Sequence, residues 1–152
     1  MKKLTLFEAH LNTANLEEAI KFYENLGLEL AYKIEERRVA FFRFGNDKKM
    51  SQMLGIWETK EPVIRKHIAF GVNYEEITNS INWLKDKGIE ATEDFGLAPI
   101  EPLVHTWMPS ASVYFSDLDG NSLEFIHVLD GDSAPELGVV YLSEWESRKQ
   151  LK

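Results

Sequence analysis

The stretch from Leu4 to Asn12, "LTLFEAHLN", alternates apolar and polar positions as a half-buried strand does. The period then lengthens. Leu16, Ile20, Phe22, Tyr23 and Leu26 supply the apolar face of a helix. Asn15 is placed to cap its start, Glu17 and Glu18 fall in its first turn, and Gly27 is placed to stop it. "LELAYKI", "RVAFFRF" and "SQMLGIWE" follow as three short strands with polar joints between them. At Lys66 the order starts again. "HIAFGV" predicts a strand and "NYEEITNSINWLKDKG" a helix closing on Gly88, with "IEATEDF", "SASVYFS" and "NSLEFIHV" as three further strands.

Set side by side, "AHLNTANLEEAIKFYENLGLEL" and "KHIAFGVNYEEITNSINWLKDKGIEA" share one plan: histidine, strand, acidic helix start, glycine stop, strand. The chain therefore reads as α+β, with two tandem β-α-β-β-β modules at about 4–60 and 65–129. Each is too small to bury its own sheet face, so both belong to a single domain. An extension over 130–152 is turn-rich as far as Gly138 and is expected to cross the surface. It ends in a short helix, "LSEWESRKQ", with Ser143 as N-cap and Trp145 as an anchor for a partner chain.

Composition narrows the function classes. A net charge of −8 argues against nucleic-acid binding, which needs a basic face. The absence of cysteine removes disulfides, thiolate catalysis and cysteine zinc sites, and fits a cytoplasmic protein. No apolar run is long enough for a membrane span, and Glu8, His10 and Asn12 interrupt the only stretch resembling a leader.

The candidate chemistry comes from the repeat. His10 and His67 occupy equivalent positions in the first strands of the two modules, and Glu124 lies inside the last apolar strand. A carboxylate there is costly unless paired or metal-bound. Each residue alone has an ordinary reading: a structural histidine, or a glutamate paired with a buried arginine such as Arg43. Together they make two imidazoles and a carboxylate, a set that suits Mn, Fe, Co, Ni or Zn and leaves positions for substrate oxygens. Glu8, on the same strand face as His10, is a candidate general base. The loop from Phe95 to Ser110 has three prolines and reads as a lid or binding segment. Trp107 and Met108 are expected to line a cavity wall with His105 at its mouth, and Trp57 and Phe42 are further candidates for an apolar wall.

The segments from His10, from His67 and "VYFSDLDGNSLEFI" from Val113 resemble the vicinal oxygen chelate superfamily: glyoxalase I, extradiol dioxygenases, fosfomycin-resistance transferases and bleomycin-binding proteins. The resemblance spans about residues 4–129. It implies a cupped mixed sheet, a divalent metal on His10, His67 and Glu124, a small-molecule substrate and a homodimer. Tyr114 matches a substrate-side tyrosine of the fosfomycin-resistance branch. Glyoxalase I enzymes add a fourth ligand, a glutamate in the last strand of the first module. Matching "SQMLGI" to "SLEFI" puts Met53, or a close neighbour, there, and no acidic residue lies between Lys48 and Trp57. That departure argues against glyoxalase I activity. The alternative is a metal-free binding protein of the bleomycin-sequestering kind.

Overall fold

The computed structural model describes residues 4–45 and 52–149. Strand β1 (Glu8–Thr13), helix α1 (Leu16–Asn25) and strands β2 (Glu29–Ile34), β3 (Val39–Arg43) and β4 (Met53–Glu58) form the first module. Its sheet runs β1-β4-β3-β2, with β1 and β4 parallel and the other neighbours antiparallel. The helix forms where the pattern placed it: the Asn15 side chain accepts from the Glu18 N–H. It covers one sheet face, where Leu11, Ala40, Phe42, Leu54 and Ile56 are buried.

The second module comprises β5 (His67–Gly71), α2 (Tyr74–Asp86), β6 (Leu103–His105), β7 (Ser110–Ser116), β8 (Ser122–Val128), β9 (Val139–Tyr141) and α3 (Leu142–Lys149). Its sheet runs β5-β8-β7-β6-β9, with β5 and β8 parallel. Asn73 and Glu76 form a reciprocal capping box at the start of α2. Ile77 and Leu84 of α2 are fully buried, as are Val104, Ala111 and Leu123 of the sheet. The fourth histidine, His127, is structural: its Nδ1 donates to the Val72 carbonyl at 2.9 Å, and its ring meets Tyr74 edge-on.

Contacts divide the chain into two compact units. One holds the residues up to Lys66 together with 117–121, and the other holds 67–116 and 122–152. The turn 117–121 is tied into the first unit by Asp119, which accepts from the Thr13 hydroxyl (2.6 Å) and the Ala14 N–H (2.8 Å).

Four expectations need correction. "IEATEDF" does not form a strand. Only Ala91 bridges to Phe115, and the chain then turns sharply, with Phe95 and Gly96 both at positive φ (52° and 72°). The segment expected to be an irregular lid contains β6, so Trp107 and Met108 sit in the turn between β6 and β7, exposed at 63% and 38%. The extension does more than cross the surface, because Val139–Tyr141 pairs with β6 and becomes the fifth strand. Trp145 is buried inside its own unit at 6% exposure and cannot serve as an anchor for a partner.

Candidate functional site

Each unit presents the sheet face opposite its helix, and strand register assigns the residues on it. In the first unit His10 stands opposite Gly55, with Phe41 beyond it. The imidazole lies directly over the glycine. A methyl group on Gly55 would fall 2.6 Å from His10 Nδ1, so only glycine admits the ring. Both ring nitrogens are engaged within the unit. The indole N–H of Trp57 donates to Nδ1 at 2.6 Å, and Nε2 contacts Glu8 Oε1 at 2.7 Å. An indole can only donate, so Nδ1 is the acceptor and the ring proton sits on Nε2, pointing at Glu8. Phe41 meets the imidazole edge-on at 6.2 Å, and the Arg37 guanidinium lies 4.6 Å from the Trp57 ring centroid.

In the second unit His67 is opposite Ser122, two residues before Glu124. Its Nε2 lies 3.1 Å from Glu124 Oε2, and its Nδ1 lies 3.2 Å from the Ser122 hydroxyl. The His67 side chain is half exposed, whereas that of Glu124 is 6% exposed. Ala69 and Ser122 lie beside the pair, and the same face carries Ser110, Ser112 and Tyr114 of β7 together with apolar Ile126 and Leu103. The hydroxyl of Ser110 is buried without a protein hydrogen-bond partner, and that of Ser112 is buried beside Tyr114.

Tyr114 is the cross-strand partner of Glu124. Its ring centroid lies 6.3 Å from that of His67 and 6.2 Å from that of His105. Its hydroxyl contacts His105 Nε2 at 2.6 Å. Burial, then the charges of Glu124 and Asp94, raise the Tyr114 pKa far above the ordinary phenol value, so the hydroxyl keeps its proton. Burial lowers the pKa of His105. Phe95 stands edge-on to the His105 ring at 4.9 Å, a contact that the loop's sequence did not announce.

The structure thus groups His67, Glu124, Tyr114 and His105 in one unit, and His10, Glu8 and Trp57 in the other. Phe42 belongs to neither site. It is fully buried and packs on Tyr23 of α1, and its neighbour Phe41 takes the site-facing position because successive strand residues alternate faces. Met53 pairs with Glu8 and Arg43, two residues short of the position opposite His10. Arg43 itself pairs with Glu29. Placing His10 on His67 puts Trp57, not Met53, where the second module has Glu124.

Residues 5–125 match the glyoxalase/bleomycin resistance protein/dioxygenase superfamily, and the chain belongs to that family. Solved structures agree. An integron cassette protein from the mobile metagenome of the Halifax Harbour sewage outfall is 30% identical, with a TM-score of 0.68 over 82% of this chain and 98% of that one. Lactoylglutathione lyase from Agrobacterium tumefaciens is 23% identical, with a TM-score of 0.63 over 84% and 96%. The oxidase ChaP-H2 is 17% identical, with a TM-score of 0.63 over 88% and 100%. At those identities the last two establish the fold alone. No curated protein matches. No helix among the described residues is long and apolar enough to cross a membrane.

Members of this superfamily commonly use divalent metals. The donor set here fits such an ion in part. His67 nitrogen and Glu124 oxygen are the right kinds of donor and already adjacent, and the carboxylate is buried. His10 offers no free lone pair, since Nδ1 is taken by Trp57 and Nε2 carries the proton. Among the described residues no group of three or more His, Asp or Glu side chains gathers around a metal position.

Proposed function

We propose that this chain is a divalent-metal-dependent enzyme of the glyoxalase superfamily, acting on a small substrate with adjacent oxygens as a cytoplasmic homodimer. The single observation that carries the reading is the His67–Glu124 pair, a buried carboxylate whose near neighbour is a half-exposed imidazole. His10 is the third ligand by family resemblance, and it must exchange its ring proton to take that role. A divalent ion supplies Lewis-acid stabilisation of charge developing on substrate oxygens. The residues contribute the rest. Glu124 and His67 fix the position of the reacting oxygens, Tyr114 offers a protonated hydroxyl beside them, and Glu8, 2.7 Å from His10 Nε2 in the free protein, is a candidate base released when that nitrogen ligates.

The reaction is not that of glyoxalase I. An indole stands at the position where those enzymes carry the fourth, carboxylate ligand, and an indole neither ligates a metal nor shuttles a proton. The same indole favours a second reading, a metal-free binding protein, because its hydrogen bond keeps His10 occupied.

Metal analysis of purified protein separates the two. The enzyme reading expects one divalent ion per chain, lost in His67→Ala and Glu124→Gln and weakened in His10→Ala. Protein that never takes up stoichiometric metal sinks that reading in favour of the second, and metal retained in full by the His67→Ala variant sinks the assignment of the ion to the His67–Glu124 pair.

A further inference from the structure

His105 lies on a short strand that no reading of the metal set involves, yet it touches the Tyr114 hydroxyl at 2.6 Å. The direction of that hydrogen bond follows from the groups around it. Glu124 is a buried carboxylate and can only accept, so its neighbours must donate. Tyr114, its partner across the ladder, hydrogen-bonds the Glu124 side chain and has one proton to give. If the phenol gave that proton to His105, the Glu124 side facing Tyr114 would be left without a donor. The consistent arrangement has Nε2–H of His105 donating to the phenol oxygen, which frees the phenol proton for Glu124 or a ligand oxygen beside it.

The surroundings hold His105 for this task. Phe95 packs edge-on against its ring at 4.9 Å, with an interplanar angle of 80°. Phe95 reaches that position from a backbone at φ 52°, a conformation unfavourable for a large side chain, and it keeps its ring 56% exposed rather than buried. The same ring lies 6.1 Å from that of Tyr114, so one aromatic side chain contacts both members of the pair, and a strained, exposed aromatic there is costly for stability alone.

We propose that His105 is a positioning residue: through Nε2–H it aims the Tyr114 hydroxyl at Glu124 in the free protein and at a substrate oxygen once one lies beside them. The site would thereby favour ligands that bring a strongly accepting oxygen, such as that of a carboxylate, to Tyr114. This rests on the reading of the His67–Glu124 face as the substrate site.

The test has a metal-free arm and a metal-loaded arm. In full-length metal-free protein, histidine ¹⁵N spectra should show His105 protonated on Nε2, and the Tyr114 Cζ ¹³C shift should move in His105→Leu and return in His105→Gln, whose amide can donate from the same place. A His105 protonated on Nδ1 alone, or a Tyr114 shift indifferent to both variants, overturns the proposal. With Mn²⁺ bound, oxalate affinity should fall about tenfold in His105→Leu and recover in His105→Gln, while Mn²⁺ affinity stays constant. Unchanged oxalate affinity in His105→Leu also overturns it. Failure to bind Mn²⁺ at all counts against the metal reading only, and the metal-free arm then decides the role of His105.

Discussion

Trp57 stands to His10 as Glu124 stands to His67: each lies two residues beyond the strand partner of its histidine, and each reaches a ring nitrogen, at 2.6 Å and 3.1 Å. The two modules have kept the geometry of one half-site and diverged in its chemistry. One pairs the imidazole with an acceptor and the other with a donor, and this fixes opposite demands on the two histidines. The first prediction follows from that contrast. Trp57→Phe keeps an aromatic ring but removes the N–H, which frees His10 Nδ1 to carry the proton and Nε2 to ligate. Divalent-metal affinity should rise about three- to tenfold by titration calorimetry, accompanied by a change in the His10 ¹⁵N tautomer pattern. Unaltered affinity together with an altered tautomer would show that His10 is not a ligand.

Gly55→Ala tests the seat of that same ring. The new methyl would lie 2.6 Å from Nδ1 and 3.3 Å from Phe41 Cε1, so the imidazole must leave its place. The expected cost is about 1–3 kcal/mol in urea unfolding, with Trp57 fluorescence shifted as its partner moves. Adding His10→Ala to Gly55→Ala should recover most of that cost, because the clash is with the histidine alone at that distance.

Asn121 is fully buried in the turn that joins β7 to β8. Its side chain accepts from the Lys66 N–H (3.0 Å) and donates to the Asn12 carbonyl (3.2 Å) and to Asp117 (2.8 Å). Asn121→Ala strands these groups and should lower stability by about 2–4 kcal/mol, read as a lower urea midpoint with an unchanged slope.

Glu58 provides a pH signature. Two hydrogen bonds from Arg38 and one from the Leu16 N–H at the start of α1 hold its carboxyl near pKa 2, down from 4.5. A depressed folded-state pKa gives stability that is complete above the unfolded value and is lost as pH falls through the folded one. Stability should therefore decline between about pH 4.5 and pH 2. Glu58→Gln should flatten that decline and lower the neutral-pH melting temperature, as thermal scans across the window will show.

The legible parts of the sequence were those with local causes. Both helices and their asparagine caps, the repeat, and the strand placement of His10, His67 and Glu124 follow from periodicity and turn chemistry. β6 and β9 escaped because each is only three residues long and exists through pairing, β6 with β7 and β9 with β6, the latter a contact about 35 residues apart that no local pattern records. Phe41 and Phe42 show a finer limit. Two adjacent phenylalanines in a strand must face opposite ways, but which one meets the site depends on register. Register places the missing-carboxylate position at Trp57, beyond Met53, because short strands of similar pattern can be matched in steps of two residues without changing face. The link between Phe95 and His105 required a left-handed turn that phenylalanine does not advertise.

β9 and α3 bear on how this chain avoids its own kind. β6 would otherwise end its sheet with unpaired backbone N–H and C=O groups, an invitation for another copy to add a strand. The extension fills that edge with its own backbone, and Glu101 then takes the N–H and hydroxyl of Ser143, locking the helix that follows. β9 and α3 thus serve as a built-in gatekeeper against aggregation.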